Sequence, residues 1–128
     1  MMELRRYTDD DYAECCRWWK AHKWPPMPKQ FLPPVGFIVP GKAVGFLYEI
    51  KDVNVGMPEF IVSCPENTIQ ESGTSIRMVM GALVNHAREI GLVGLQAFIK
   101  TRGLQSVYEE VGFQLGDDMK EAVLYIRR

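Results

Sequence analysis

The chain has 128 residues, 47% of them hydrophobic and 24% charged, enough for one domain with a buried core and unlike a disordered segment. Fifteen Lys and Arg against sixteen Asp and Glu leave a net charge of −1, which argues against gripping nucleic acid mainly through phosphate charge. No apolar run is long enough to cross a bilayer, the first residues (MMELRRYTDDD) lack the apolar core of a signal peptide, and three cysteines without ligand-like spacing indicate neither a zinc site nor a disulfide framework, so a cytoplasmic setting is expected.

Residues 3–7 read as a short strand. Thr8 or Asp9 then caps a helix over residues 10–22, with Asp9-Asp10-Asp11 set against the positive end of its dipole. Tyr12, Cys15, Cys16 and Trp19 follow helical spacing and are expected in the core. The stretch WPPMPKQFLPP comes next, with five prolines in residues 24–34, and it makes a stiff, extended connection. Strands follow at residues 36–39 and Ala43–Ile50, joined by a tight turn at Pro40-Gly41-Lys42. A third strand, 53–63, carries Gly56 and Pro58. Proline in a sheet is confined to edges or bulges, so an interruption is expected near residues 57–59.

Between the apolar run FIVSC and a helical repeat lies IQESGTSIR, residues 69–77, for which two readings stay open. Small residues between a strand and a helix suit a loop that offers backbone N–H groups to a phosphate. Thr68-Ile69-Gln70-Glu71 is also a capping-box pattern, which starts the helix at Ile69 and absorbs Gly73 into its first turns. The loop is then Pro65-Glu66-Asn67-Thr68. Either way, Glu66 and Glu71 oppose a bound phosphate unless they point away from it. Ile76, Val79, Met80, Leu83, Val84, Ala87 and Ile90 mark one helix face, stopped by Gly91. Residues 92–99 read as a buried strand, 103–111 as a shorter helix stopped by Gly112, and 113–115 with 122–126 as a closing hairpin. The order gives a single α/β domain over residues 1–128, its mixed sheet antiparallel in the middle and parallel where helices cross over.

This order, with Ser106-Val107-Tyr108-Glu109-Glu110-Val111-Gly112-Phe113, resembles the GNAT family of acyl-CoA-dependent N-acyltransferases, whose late helix places three residues between a tyrosine and a Gly-Phe pair. The N-terminal half resembles small phage-encoded GNAT-like proteins. That likeness runs through Trp18-Trp19-Lys20-Ala21-His22-Lys23-Trp24-Pro25-Pro26, Phe31-Leu32-Pro33-Pro34 and Gly45-Phe46-Leu47-Tyr48. The resemblance implies the GNAT fold, a mixed central sheet with flanking helices and an interrupted strand near Pro58 that pairs with the pantetheine arm of acetyl-CoA, the co-substrate. It also implies a diphosphate loop of pattern Gln/Arg-x-x-Gly-x-Gly/Ala, which Gln70-Glu71-Ser72-Gly73-Thr74-Ser75 matches at all but the last position.

Carried over by position, the resemblance places Ile61, Val62, Gln70, Ser72, Gly73, Thr74, Ser75 and Thr101 at the cofactor, Thr101 standing where the family frequently has Asn. It implies Tyr108 as the acid and Glu59, beside Pro58, as the base. Trp18, His22, Trp24, Met27 and Phe31 are expected on the acceptor side; of the two histidines, His22 is the better base and His86 lies on a polar helix face. The function implied is acetyl transfer to a primary amine of a small molecule or a protein. A modified nucleobase is the less favoured acceptor, because no basic run supports duplex binding. The competing expectation is a non-catalytic GNAT-fold interaction protein that has lost CoA use, and a homodimer is compatible with either. The start of the helix near Ile69 and the directions of Glu66 and Glu71 separate the two.

Overall fold

The computed structural model describes residues 2–120 together with 122, 124 and 126. Strands β1 (Arg5–Arg6), β2 (Val35–Val39), β3 (Ala43–Ile50), β4 (Val55–Ser63) and β5 (Gly94–Leu95) form one sheet in that order. Neighbours are antiparallel from β1 to β4, and β5 joins β4 in parallel. A parallel pair needs a crossover, and helix α2 (Ile69–Glu89) supplies it. Helices α1 (Tyr12–Ala21) and α3 (Arg102–Glu110) complete the α/β architecture that the sequence predicts.

The two sheet faces carry separate cores. On one, Ile76, Val79, Met80, Leu83 and Ala87 of α2 pack with Val39, Leu47 and Ile61 of the sheet and with Val107 and Tyr108 of α3. On the other, Cys15, Trp18 and Trp19 of α1 pack with Ile38, Val44, Phe46 and Val62. Each fully buried side chain of this size contributes about 1.5–3 kcal/mol, so the helices are fixed by these faces rather than by propensity. Tyr12 and Cys16, expected in the core, are half-buried at its margin, while Trp18 is fully buried.

The acidic run is the entry to α1. Residues Asp9–Asp11 form one 3-10 turn, and the Asp11 carboxylate accepts from the Thr8 N–H at 2.9 Å and pairs with Arg5 at 2.7 Å. The Pro-rich segment, poor in N–H donors, is pinned through its carbonyls instead. The Tyr12 hydroxyl donates to the Met27 carbonyl at 2.8 Å, and the Tyr48 hydroxyl donates to that of Phe31.

Two expectations are corrected. The strand expected at 92–99 pairs only at Gly94–Leu95. Residues 113–115 form no strand, and the hairpin's second arm at 122–126 lies partly outside the described residues. The interruption of β4 expected near Pro58 is present, although Pro58 itself pairs in register with Leu47. It falls two residues later, where Phe60 and Ile61 together face Gly45 between the Val44–Val62 and Phe46–Glu59 pairs. Phe60 takes φ +57° there, the conformation of a bulged residue. Gly45 makes room for the bulge: a Cβ on it would lie 2.8 Å from Val79 and 2.9 Å from Ile61.

Candidate active site

Pro58 has a different consequence: it opens the sheet. The parallel ladder between β4 and β5 ends where the Gln96 N–H donates to the Gly56 carbonyl at 2.9 Å. The next rung on that edge requires the N–H of residue 58, and proline has none. Beyond it β4 and the chain after β5 part, and among the described residues no strand pairs with that edge of β4 along the bulge. A cleft of about 700 Å³ runs from this gap between α2 and α3, within the size range of small-molecule sites.

The outer walls of the cleft are two helix stripes. Thr68 caps α2: its hydroxyl accepts from the Glu71 N–H at 3.1 Å, and the Glu71 carboxylate accepts from the Thr68 N–H at 2.9 Å. The capping-box reading is therefore the correct one, and no loop spans residues 70–75. Yet Gln70, Gly73, Thr74 and Arg77 stand at i, i+3, i+4 and i+7, on the one face of α2 that lines the cleft. Ser72 lines it too, beside Asn67. Ser75 does not, because its side chain is buried and its hydroxyl donates to the Glu71 carbonyl at 2.7 Å. From α3 come Gly103, Ser106 and Val107, with Thr101 capping that helix through the Leu104 N–H at 3.2 Å.

Among the described residues no carboxylate lines the cleft. Glu71 is held by Lys42 at 2.6 Å, which with the Thr68 N–H draws its pKa down to about 2. Glu66 is held by Arg17 at 2.9 Å, in a network that continues through Glu14 to the Trp18 indole. Both acids point away from the cleft.

At its inner end the cleft meets a small pocket of about 30 Å³, room for roughly two waters, that brings Glu59 and Tyr108 together with Trp24, Phe98 and Lys100. Tyr108 is 2% exposed, and burial first, then the negative charge of Glu59, pushes its phenol well above the ordinary value. Its place is set by the end of α3. Gly112, at φ +109°, donates to the Glu109 carbonyl, and Phe113 donates back to the Tyr108 carbonyl while its ring meets Tyr108 edge-on at 5.0 Å. α1 ends in the same way, with Lys23 at φ +62° and the Trp24 N–H on the Trp19 carbonyl. This turn delivers Trp24 to the cleft, where His22 stacks on it at 5.3 Å and the Lys100 ammonium lies 5.2 Å over its ring. Ile61 and Val62 form the β4 wall.

Of the expected acceptor residues, His22 and Trp24 reach the cleft. Trp18 does not; it is fully buried under α1, as its i, i+3 relation to Cys15 requires. Met27 packs on the same core, and Phe31 lies in the Pro-rich segment, 44% exposed. Sequence reading passed over Lys100, Phe98 and Arg77. Arg77 had a usable signal, since it stands four residues after Gly73 on one helix face; Lys100 and Phe98 follow a strand that ends early and had none.

No protein-family model matches the chain, and no curated protein matches it by sequence. Solved structures do match, and they define the class: the chain has the GNAT acetyltransferase fold. Similar structures include an acetyltransferase from Trypanosoma brucei (TM-score 0.67, 17% identity, covering 97% of this chain and 100% of that one). Glucosamine-6-phosphate N-acetyltransferase from Arabidopsis thaliana matches with TM-score 0.69 and 10% identity over 98% and 99% of the two chains. N-acetylglutamate synthase from Neisseria gonorrhoeae, complexed with coenzyme A and N-acetyl-glutamate, matches with TM-score 0.73 and 16% identity over 91% of this chain and 29% of that one. At these identities the likeness is one of fold. Among the described residues, no helix is long and apolar enough to cross a membrane.

Proposed function

We propose that the protein transfers an acetyl group from acetyl-CoA to a primary amine of a small molecule or protein. The observation that carries this reading is the cleft, lined by no carboxylate among the described residues, that leads along β4 to a buried Tyr108 and a half-buried Glu59. The pantetheine arm would lie along Ile61 and Val62, with the phosphates between the Gln70, Gly73, Thr74 stripe and α3. Ile69 and Gln70 also line the cleft, and their N–H groups, in the first turn of α2, have no helical acceptor and would be available to an anion there.

In this reading Glu59 takes the proton of the amine as its nitrogen attacks the thioester carbon. A backbone N–H of the bulged strand receives the carbonyl oxygen, and the Tyr108 hydroxyl donates to the departing sulfur. The raised pKa keeps the Tyr108 proton in place at neutral pH, and part of that rise comes from the charge on Glu59. When Glu59 gains the amine proton that contribution vanishes, so Tyr108 becomes more acidic in the step where the thiolate leaves.

The size of the inner pocket favours a second reading, a non-catalytic protein of the same fold, because about 30 Å³ does not hold an acceptor as it stands. A thermal-shift titration with acetyl-CoA separates them. At a hundredfold excess over Kd the expected stabilisation is about 2.7 kcal/mol, and no shift at millimolar ligand sinks the enzyme reading. Given binding, Tyr108→Phe should keep its affinity and lose turnover by about 100-fold or more, read as thiol release with a panel of amines. Unchanged turnover removes Tyr108 from its role.

A further inference from the structure

Arg77, which lines the cleft, is held in an ion pair with Glu110 of α3 and packs over a glycine of its own helix. Arg77 folds back along α2 so closely that a Cβ on Gly73 would lie 2.9 Å from its Nη1. The Nη1 end of the guanidinium thus turns toward Gly73, and the other edge of its fork reaches across to Glu110 of α3, with Nε to Oε2 at 2.6 Å and Nη2 to Oε1 at 3.0 Å. Both side chains are about half exposed, at 47% and 50%. An exposed pair of this kind adds little to stability. The two helices are in any case joined beneath it through the core that holds Ile76, Met80, Val107 and Tyr108.

We propose that this pair is a latch, and that a phosphate group of the acyl donor takes Arg77 over from Glu110 on binding; the proposal rests on reading the cleft as the acetyl-CoA site. The guanidinium fork fits a phosphate as it fits a carboxylate, and a dianion outcompetes a single carboxylate for it in a solvated setting. Arg77 and His22 are the lining side chains that can carry positive charge. The nearest acid on its own helix, Glu71, is already committed to Lys42. Glu110 thus competes for the cleft's cation, and the ligand's charge displaces it. Gly73 serves this arrangement inside a helix, which gives the Gln-x-x-Gly spacing a use other than a loop.

The test compares acetyl-CoA with acetylpantetheine, which lacks the phosphates, by titration against the wild type and single variants. Arg77→Gln should weaken acetyl-CoA about tenfold, and Glu110→Gln should tighten it about two- to fivefold by removing the competitor. Neither should change the affinity for acetylpantetheine, and Arg77→Lys should recover part of the loss. If both glutamine variants weaken acetyl-CoA together with a fall in melting temperature, the pair is a strut and the latch is overturned. Unchanged affinity in both overturns it as well. If the wild type binds acetyl-CoA with no gain over acetylpantetheine, the latch fails while the acyltransferase reading stands; if it binds neither, both fail.

Discussion

Lys23 adopts left-handed backbone geometry, φ +62°, where Gly91 and Gly112 serve the other two helices. A side chain in that region costs about 1–2 kcal/mol, partly offset in glycine by its greater freedom when unfolded. The geometry matters because it turns the chain so that Trp24 reaches the cleft instead of continuing α1. Lys23→Gly should therefore raise stability by about 0.5–1 kcal/mol and the midpoint by roughly 3 °C, with the Trp24 environment unchanged. Denaturant unfolding with tryptophan fluorescence checks both. A loss of stability would show that the lysine side chain, not the turn, holds this corner. Nothing in the sequence marks this turn: a lysine before a tryptophan carries no turn signal, whereas Gly91 and Gly112 read as helix stops.

At the scale of the element, the start of α2 decides how the cleft is lined. The capping box was legible because Thr68 and Glu71 have a fixed spacing and a local purpose. The partner of Glu71 was not, since Lys42 comes from a turn 29 residues away that only the folded sheet brings near. The pair has a pH signature. The Glu71 carboxyl falls from its ordinary 4.5 to about 2 in the folded protein, so on acidification the unfolded chain takes the proton first. Its contribution is complete above about pH 4.5 and disappears as pH falls toward about 2. Glu71→Gln keeps an N3 side chain able to cap, so it isolates the charge. The variant should be less stable than the wild type at neutral pH, and the gap in urea midpoint should close between those two values. A gap that persists to the acid end would mean that Lys42 does not set the pKa. Glu71→Ala, which also loses the cap, should fall further at every pH.

The whole molecule depends on where its sheet stops being a sheet. Element order, the mixed sheet and the crossover follow from patterns within single segments, and those are legible in the sequence: continuous apolar runs for β2 and β3, a four-turn apolar stripe for α2. Residues 92–99 are as apolar as a strand should be, yet pairing stops after Leu95 because its partner lacks a donor at Pro58. A single-segment pattern cannot report the partner's missing N–H. For this reason Pro58 signals a disruption nearby without locating the bulge, which belongs to Phe60 and to the space left by Gly45. If the proline is what opens the sheet, Pro58→Ala restores the donor that faces Gln96. The alanine amide should then be protected in hydrogen exchange, the unpaired edge of β4 should shorten, and acetyl-CoA affinity should drop by about tenfold while stability changes by less than about 1 kcal/mol. An alanine amide that exchanges as fast as an exposed one, with affinity unchanged, would assign the opening to the bulge and the α3 packing instead. In that case Gly45→Ala, which crowds Val79 and Ile61, should be the substitution that closes the cleft.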